Sequence, residues 1–220
     1  MRHDFRYISK HSPEVRNAYH DLLEIIGQVQ NEVRSKFTFR FYPVGSYKRN
    51  MITYDTKSNV GFDFDIDIEV NDEDEKYNAK EIRKEIKNAL NKTVRKYGYD
   101  YPEDSKRVLT IKVKDTRRSR IIYSCDFAIV NNYTDENGNK RQQYIRFDKQ
   151  NNVYKWEDQP KGFLNLPEKI EWLKNRGRWQ EVRERYIVNK NRTTDPDNHS
   201  RSIFAETVHQ ICQKSGFQWE

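Results

Sequence analysis

The sequence predicts an α+β protein: a mixed sheet with helices on one face, an N-terminal helix and a short helical C-terminal part. Three observations carry this. Residues 13 to 35 are apolar at helical spacing, residues 37 to 148 hold several strand patterns around one helix, and beyond about residue 160 the pattern is helical again.

In the first helix Val15, Tyr19, Leu22, Ile26, Val29 and Val33 recur every three or four residues, and Ser12-Pro13 is a natural start. Residues 37 to 44 alternate, with Phe37, Phe39 and Phe41 on one side, and end at Pro43; Gly45-Ser46 breaks the strand. A second strand, 62 to 70, reads Phe-Asp-Phe-Asp-Ile-Asp-Ile-Glu-Val. Residues 78 to 97 form a helix striped by Ile82, Ile86, Leu90 and Val94, with Asn78 and Glu81 at capping-box spacing. Strands follow at 107 to 113 and 120 to 130, and after the Asn137-Gly138 turn at 142 to 148. Helices are expected at 167 to 176, 178 to 189 and 200 to 214, with a polar loop from Asn189 to Ser200. The expected domains are a core over 1 to 160 and a helical subdomain over 161 to 220.

Composition bounds the function. Of 220 residues, 35% are apolar and 34% charged, so the core is modest and the surface densely charged. The 14 Tyr, 11 Phe and 4 Trp are too many for a disordered chain. The net charge of +7 favours a polyanionic partner such as RNA, DNA or a nucleoside triphosphate. The charges are also segregated. Residues 63 to 75 hold eight acids and no base, and residues 106 to 120 hold seven Lys or Arg and one acid, Asp115. Cys125 and Cys212 have no zinc-type spacing and read as packed thiols of a cytoplasmic protein. The sequence has no apolar h-region at its start and no apolar run near 18 residues, so neither a signal peptide nor a membrane span is expected.

The informative segment is the acidic strand. Residues two apart in a strand share a face, so Asp63, Asp65, Asp67 and Glu69 line one side, about 7 Å apart, and Phe62, Phe64, Ile66, Ile68 and Val70 the other. Aspartate is a poor strand former, and adjacent carboxylates repel unless a cation lies between them. Magnesium prefers oxygen ligands and supplies such a cation. Asp126 stands in the apolar strand Arg-Ile-Ile-Tyr-Ser-Cys-Asp-Phe-Ala-Ile-Val, where a lone carboxylate is costly unless paired or metal-bound.

Pro43-Val44-Gly45-Ser46-Tyr47-Lys48-Arg49, then Phe64-Asp65-Ile66-Asp67-Ile68-Glu69-Val70, then Cys125-Asp126-Phe127, resemble the polymerase-β-like nucleotidyltransferase superfamily. Within it the chain is most similar to the branch of oligoadenylate synthetases and bacterial cyclic-oligonucleotide synthases, over about residues 40 to 130. The resemblance implies a nucleotidyltransferase palm core. It implies transfer of a nucleoside monophosphate from a nucleoside triphosphate to a hydroxyl of a nucleotide, an RNA or another acceptor. It further implies two Mg2+ or Mn2+ ions held by Asp65, Asp67 and Asp126, with Gly45 and Ser46 cradling the β- and γ-phosphates. Lys48 and Arg49 are candidates for phosphate contact, Tyr154 or Trp156 for stacking on a base, and Lys169 or Lys174 for the triphosphate. The gap from Ser46 to Asp65 is longer than the family pattern, and residues 50 to 61 are expected to loop out. This leaves the pair open between Asp65/Asp67 and Asp63/Asp65; the strand continuation Ile68-Glu69-Val70 favours the former. Two other readings of the residues are a metal-dependent nuclease, suited by the basic block, and a non-catalytic RNA-binding module.

Overall fold

A computed structural model describes residues 3–58, 60–72, 74–160, 165–193 and 200–217. The chain divides into two compact units, one of residues 8–53 and 59–159, the other of residues 1–7, 54–58 and 160–220.

In the smaller unit, β1 (Phe5–Tyr7) pairs with β3 (Thr53–Asp55). Asp55, wholly buried, accepts backbone N–H bonds from Asp4 and Lys57, both 3.0 Å, and lies 2.7 Å from His3 Nδ1. Asn191 exchanges two hydrogen bonds with the backbone of Phe5, which fixes that strand on its helix. The helices are α4 (Asn165–Asn175), α5 (Trp179–Arg192) and α6 (Ser200–Lys214). Tyr186 meets Phe204 edge to face, and Val182, Ile203, Val208 and Ile211 are buried around them.

The larger unit carries a seven-stranded mixed sheet. Its strands are β2 (Thr38–Pro43), β4 (Phe62–Asn71), β5 (Glu103–Asp104), β6 (Val108–Asp115), β7 (Arg120–Thr134), β8 (Lys140–Asp148) and β9 (Val153–Asp158). The central pair β4 and β7 is parallel; β2 flanks β4 antiparallel. The long β7 pairs with β6 over its first part and with β8 over its last, both antiparallel, while β2, β5 and β9 lie at the edges.

The helix α1 (Pro13–Val33) starts at Ser12, whose hydroxyl accepts from Val15 N–H, and buries the predicted stripe except Tyr19, which is half-buried. Its Tyr19 lies against Phe64 on the apolar side of β4. The capping box of α3 (Ala79–Thr93) is present in both directions, Asn78 to Glu81 and back. This helix packs on α1 and buries Ile82, Ile86 and Leu90. Phe62, Phe64, Ile66 and Ile68 are buried and the alternating acids are half-buried, so period-two patterning survives intact in β4.

Several elements depart from the expectation. Gly45-Ser46 breaks the strand as expected and opens a one-turn helix, α2 (Gly45–Lys48). The stretch 50–61 holds β3, and β1, β5 and β9 were not foreseen; each is short or lacks clear alternation. The helix expected to 97 changes to a 3-10 turn at Val94–Tyr97 and stops at Gly98, whose φ of 79° suits a residue without Cβ. Residues 189–192 belong to α5, while residues 194–199 of the expected loop lie outside the described residues.

Candidate active site

The parallel register sets Asp65 directly opposite Asp126. It likewise sets Asp63 opposite Ser124 and Asp67 opposite Ala128. On the far side of β7, Thr110 stands opposite Asp126 and its hydroxyl donates to Asp126 Oδ1 at 2.6 Å. One face of three strands therefore carries Asp63, Asp65, Asp67 and Glu69, then Ser124 and Asp126, then Thr110 and Lys112. Further along, Asn132 donates to Glu69 at 2.8 Å, and Gln142 donates to Asn132 at 3.0 Å and reaches Asp67 at 3.4 Å.

The glycine-serine turn is built onto this face. Val44 N–H bonds to the Asp65 carbonyl at 2.9 Å, which seats the start of α2 over the acids. Gly45 has φ +59°, and a Cβ there would come within 1.7 Å of Asp65 Oδ2. Only glycine permits both that backbone and that approach. The Ser46 backbone N–H donates to the Asp65 carboxylate, and the positive charge of Arg49 also acts on it. The Ser46 hydroxyl oxygen is buried with no hydrogen-bond partner among the described residues. A buried donor left open beside a carboxylate cluster is a standing cost that a ligand oxygen would remove.

Electrostatically the acids strain against one another. Burial, then the charges of Asp63 and Asp126, push the Asp65 carboxyl up to about 7. Asp126 is also raised, chiefly by burial, and is restrained by its bond from Thr110. The neighbouring Cys125 thiol is wholly buried, which drives it far above its usual range and keeps it protonated. A divalent cation would relieve the Asp65–Asp126 repulsion, so the donor set fits one. Among the described residues no three Asp, Glu, His or Cys side chains converge as a ready-made cage. Magnesium is commonly held by one or two carboxylates and completed by substrate phosphates and water, which this arrangement suits.

The remaining sequence candidates are dispersed. Lys48 is exposed on the single turn of α2, one residue before Arg49. Tyr154 and Trp156 stand opposite Phe147 and Ile145, so their side chains leave by the face opposite the acids. Tyr154 stacks on Phe147 at 4.2 Å and donates to Asp104 at 3.1 Å. Its strand parity was invisible without the pairing of β8 and β9. Lys169 is on α4 in the other unit, its Nζ 3.1 Å from His209 Nδ1, and Lys174 lies over the ring of Trp179. Sequence reasoning missed Thr110, Asn132 and Gln142. Their signal is alternation on β6, β7 and β8, and it becomes readable only once the register is known.

Because Gly45 is so constrained, Gly45→Ala is a sharp test. The positive φ costs a non-glycine residue about 1 kcal/mol or more, and the methyl group must displace the Asp65 carboxylate. We expect any activity that uses Asp65 to fall about 100-fold with the circular dichroism spectrum unchanged. Retention of full activity would remove Asp65 from the chemistry.

No family profile and no curated protein matches the sequence. Solved structures do match. The CdnE cyclic dinucleotide synthase of Elizabethkingia meningoseptica, in complex with GTP and Apcpp, superposes with a TM-score of 0.52 at 16% identity, over 92% of this chain and 70% of that one. DncV of Vibrio cholerae, in its 3'-deoxy ATP form, gives 0.53 at 16% identity over 89% of this chain and 51% of that one. The STING-associated CdnE c-di-GMP synthase of Capnocytophaga granulosa gives 0.52 at 16% identity over 92% and 62%. The chain thus spans between about half and about 70% of the length of these structures. No helix among the described residues is long and apolar enough to cross a membrane. With a mixed α+β sheet that places its acids on adjacent parallel strands, the chain has the nucleotidyltransferase fold of the CD-NTases.

Proposed function

We propose that the protein is a divalent-metal-dependent nucleotidyltransferase that moves a nucleoside monophosphate from a nucleoside triphosphate to a hydroxyl acceptor. The observation that carries this reading is the pairing of Asp65 with Asp126 across parallel strands, with Gly45 and Ser46 seated on the Asp65 carboxylate. The structural neighbours are cyclic dinucleotide synthases crystallised with GTP, ATP analogues or a linear intermediate. They favour synthesis of a nucleotide second messenger; in our reading the acceptor is a nucleotide or an RNA end.

In this reading Asp65, Asp67 and Asp126 hold two Mg2+ or Mn2+ ions. When bound, these ions neutralise charge on the attacking and leaving oxygens. The pair Asp65/Asp67 is favoured over Asp63/Asp65. That preference rests on the strand continuation Ile68-Glu69-Val70; across the parallel register Asp67 faces Ala128 and Asp63 faces Ser124, with Lys112 beyond. Ser46 offers its open hydroxyl to a phosphate oxygen, and Arg49 adds positive charge at that end. Gly45 lets the backbone approach the phosphates closely. The acceptor hydroxyl attacks the α-phosphorus. The new P–O bond forms as the bond to the bridging oxygen of the β-phosphate breaks, pyrophosphate leaves with the electron pair, and the hydroxyl proton passes to Asp126. A carboxylate whose proton affinity is raised by burial is a better base for that step than a solvated one. Lys48 remains a proposed contact to the nucleotide, whereas Tyr154, on the face opposite the acids, does not.

Incubation with magnesium or manganese and each α-labelled nucleoside triphosphate, with and without RNA, tests the reading. Labelled products should form with the native protein, and their mobility separates small oligonucleotides from tagged RNA. RNA cleavage without use of triphosphate would replace the transferase by a nuclease.

A further inference from the structure

The acid face continues past Asp67 and Asp126 into a second cluster that the proposed chemistry does not use. In β8, Gln142, Tyr144 and Arg146 alternate onto the same side, because Gln142 reaches Asp67 and residues two apart share a face. Across the β8–β9 ladder Tyr144 stands opposite Glu157 and Arg146 opposite Lys155. The Arg107 guanidinium lies over the Tyr144 ring at 4.4 Å and donates to its hydroxyl at 3.1 Å. That hydroxyl in turn donates to Glu157 at 2.9 Å, and Arg146 bonds the other Glu157 oxygen at 2.6 Å. Lys155 approaches the same carboxylate at 3.8 Å. Two cations thus meet the Glu157 carboxylate, and a third, Arg107, reaches it only through the Tyr144 hydroxyl.

Two features of the cluster ask for an anion. Arg107 is half-buried and has no carboxylate partner among the described residues; its contacts are the ring and hydroxyl of Tyr144. Arg146 Nε is buried with no hydrogen-bond partner among the described residues. The Tyr144 side chain, 2% exposed and itself bonded to Glu157, holds Arg107 in place, so little freedom is lost when an anion meets its fork.

Its position says which anion. Val108 stands opposite Ala128, and Thr110 opposite Asp126. Arg107 lies in the turn of residues 105–108 that joins β5 to β6, three residues before the Asp126 partner Thr110 and so at most roughly 11 Å from it, within one nucleotide's length once its own side chain is counted. It lies on the side of Asp126 away from Gly45 and Ser46, because Val44 bonds to the Asp65 carbonyl and β2 runs from there along Asp67 and Glu69. The phosphates of the donor belong to the Gly45–Ser46 end. We propose that Arg107, positioned by Tyr144 and Glu157 and assisted by Arg146, binds a phosphate group of the acceptor, the one attached to the nucleotide whose hydroxyl is attacked. This rests on the nucleotidyltransferase reading for its chemistry but not for its binding.

The test is therefore first a binding measurement, on the full chain without added divalent ion. Each nucleoside 5'-monophosphate and its parent nucleoside are titrated by calorimetry, and a trinucleotide RNA forms a parallel arm. A monophosphate should bind at least about 10-fold more tightly than its nucleoside, and Arg107→Gln should weaken it about 10–100-fold. Arg107→Lys, which keeps charge but not the planar fork, should fall in between and covers the case in which the glutamine variant misfolds. Equal gains for monophosphate and trinucleotide identify a mononucleotide acceptor, and a larger gain for the trinucleotide a polynucleotide end. In turnover, Arg107→Gln should raise the acceptor KM by a similar factor while the donor KM moves less than about 3-fold. The proposal is overturned if phosphate adds no affinity to the native protein, if the advantage survives in Arg107→Gln, or if donor and acceptor KM rise together. A protein that binds monophosphates through Arg107 yet transfers no nucleotide would keep this site and lose only the reaction.

Discussion

Asp65→Asn is expected to lower nucleotidyl transfer at least about 10³-fold, because it removes charge stabilisation of roughly 4 kcal/mol at the centre of the site. The same substitution is expected to stabilise the metal-free protein at neutral and alkaline pH. The sign follows from the raised carboxyl. Asp65 titrates near 7 in the fold against about 3.8 in an open chain, so between those values the folded state holds the extra proton. Its contribution to stability is complete below about pH 4 and is lost as pH rises through about 7. Thermal melts of the native protein without divalent ion should therefore decline over that interval. In Asp65→Asn the decline should flatten, and the variant should melt above the native protein at pH 8, by about 2–4 °C for each kcal/mol recovered. Manganese should raise the native curve at pH 8 and leave the variant unmoved. A variant that melts lower at pH 8 and keeps its activity would make Asp65 an ordinary structural acid.

The second large effect is one of stability. Arg83 on α3 is 1% exposed and spends its whole guanidinium inside the protein. Nε and Nη2 meet Asp104 Oδ1 at 3.0 and 2.7 Å, Nη1 donates to the Ile145 carbonyl at 2.8 Å, and Nη2 reaches the carbonyls of Ser105 and Val108 at 2.6 and 3.0 Å. One side chain thus ties the helix to β5, to the start of β6 and to β8. Replacing it by methionine keeps much of the volume but takes their arginine donor from the Ile145 and Ser105 carbonyls, while the Val108 carbonyl keeps its bonds from Ser105, and leaves Asp104 with Lys87 at 3.5 Å and Tyr154. Arg83→Met should cost about 3–5 kcal/mol, read as a lower urea midpoint with an unchanged slope. A loss below about 1 kcal/mol would mean that water replaces these bonds readily. Because Val108 follows Arg107, the acceptor cluster should also loosen in this variant.

Arg83 also shows where sequence reasoning stops. It stands beside the helix stripe of Ile82, Ile86 and Leu90; its acceptors come from residues 104, 105, 108 and 145, and no local pattern joins them. Tyr154 fails for a related reason. Its composition suited a base, but alternation within β9 does not say which parity faces the acids. That parity follows from the pairing of Tyr144 with Glu157 and of Phe147 with Tyr154.

The sequence by itself determined the features with a short period. These are the α1 stripe, the capping box at Asn78 and Glu81, the division of β4 into a buried Phe/Ile side and an acid side, and the order in which Gly45-Ser46, Asp65-Ile66-Asp67 and Asp126 occur. Each is fixed by neighbours within a turn of helix or a few strand residues, where the physics is local. The tertiary structure alone decided that Asp65 meets Asp126 and that Thr110 supports the latter. It also decided that Gly45 touches a carboxylate twenty residues away and that Arg107 rests on Tyr144. Those contacts depend on inter-strand register, and register is chosen by the packing of whole faces: a slip of one residue would turn every acid of β4 into the core.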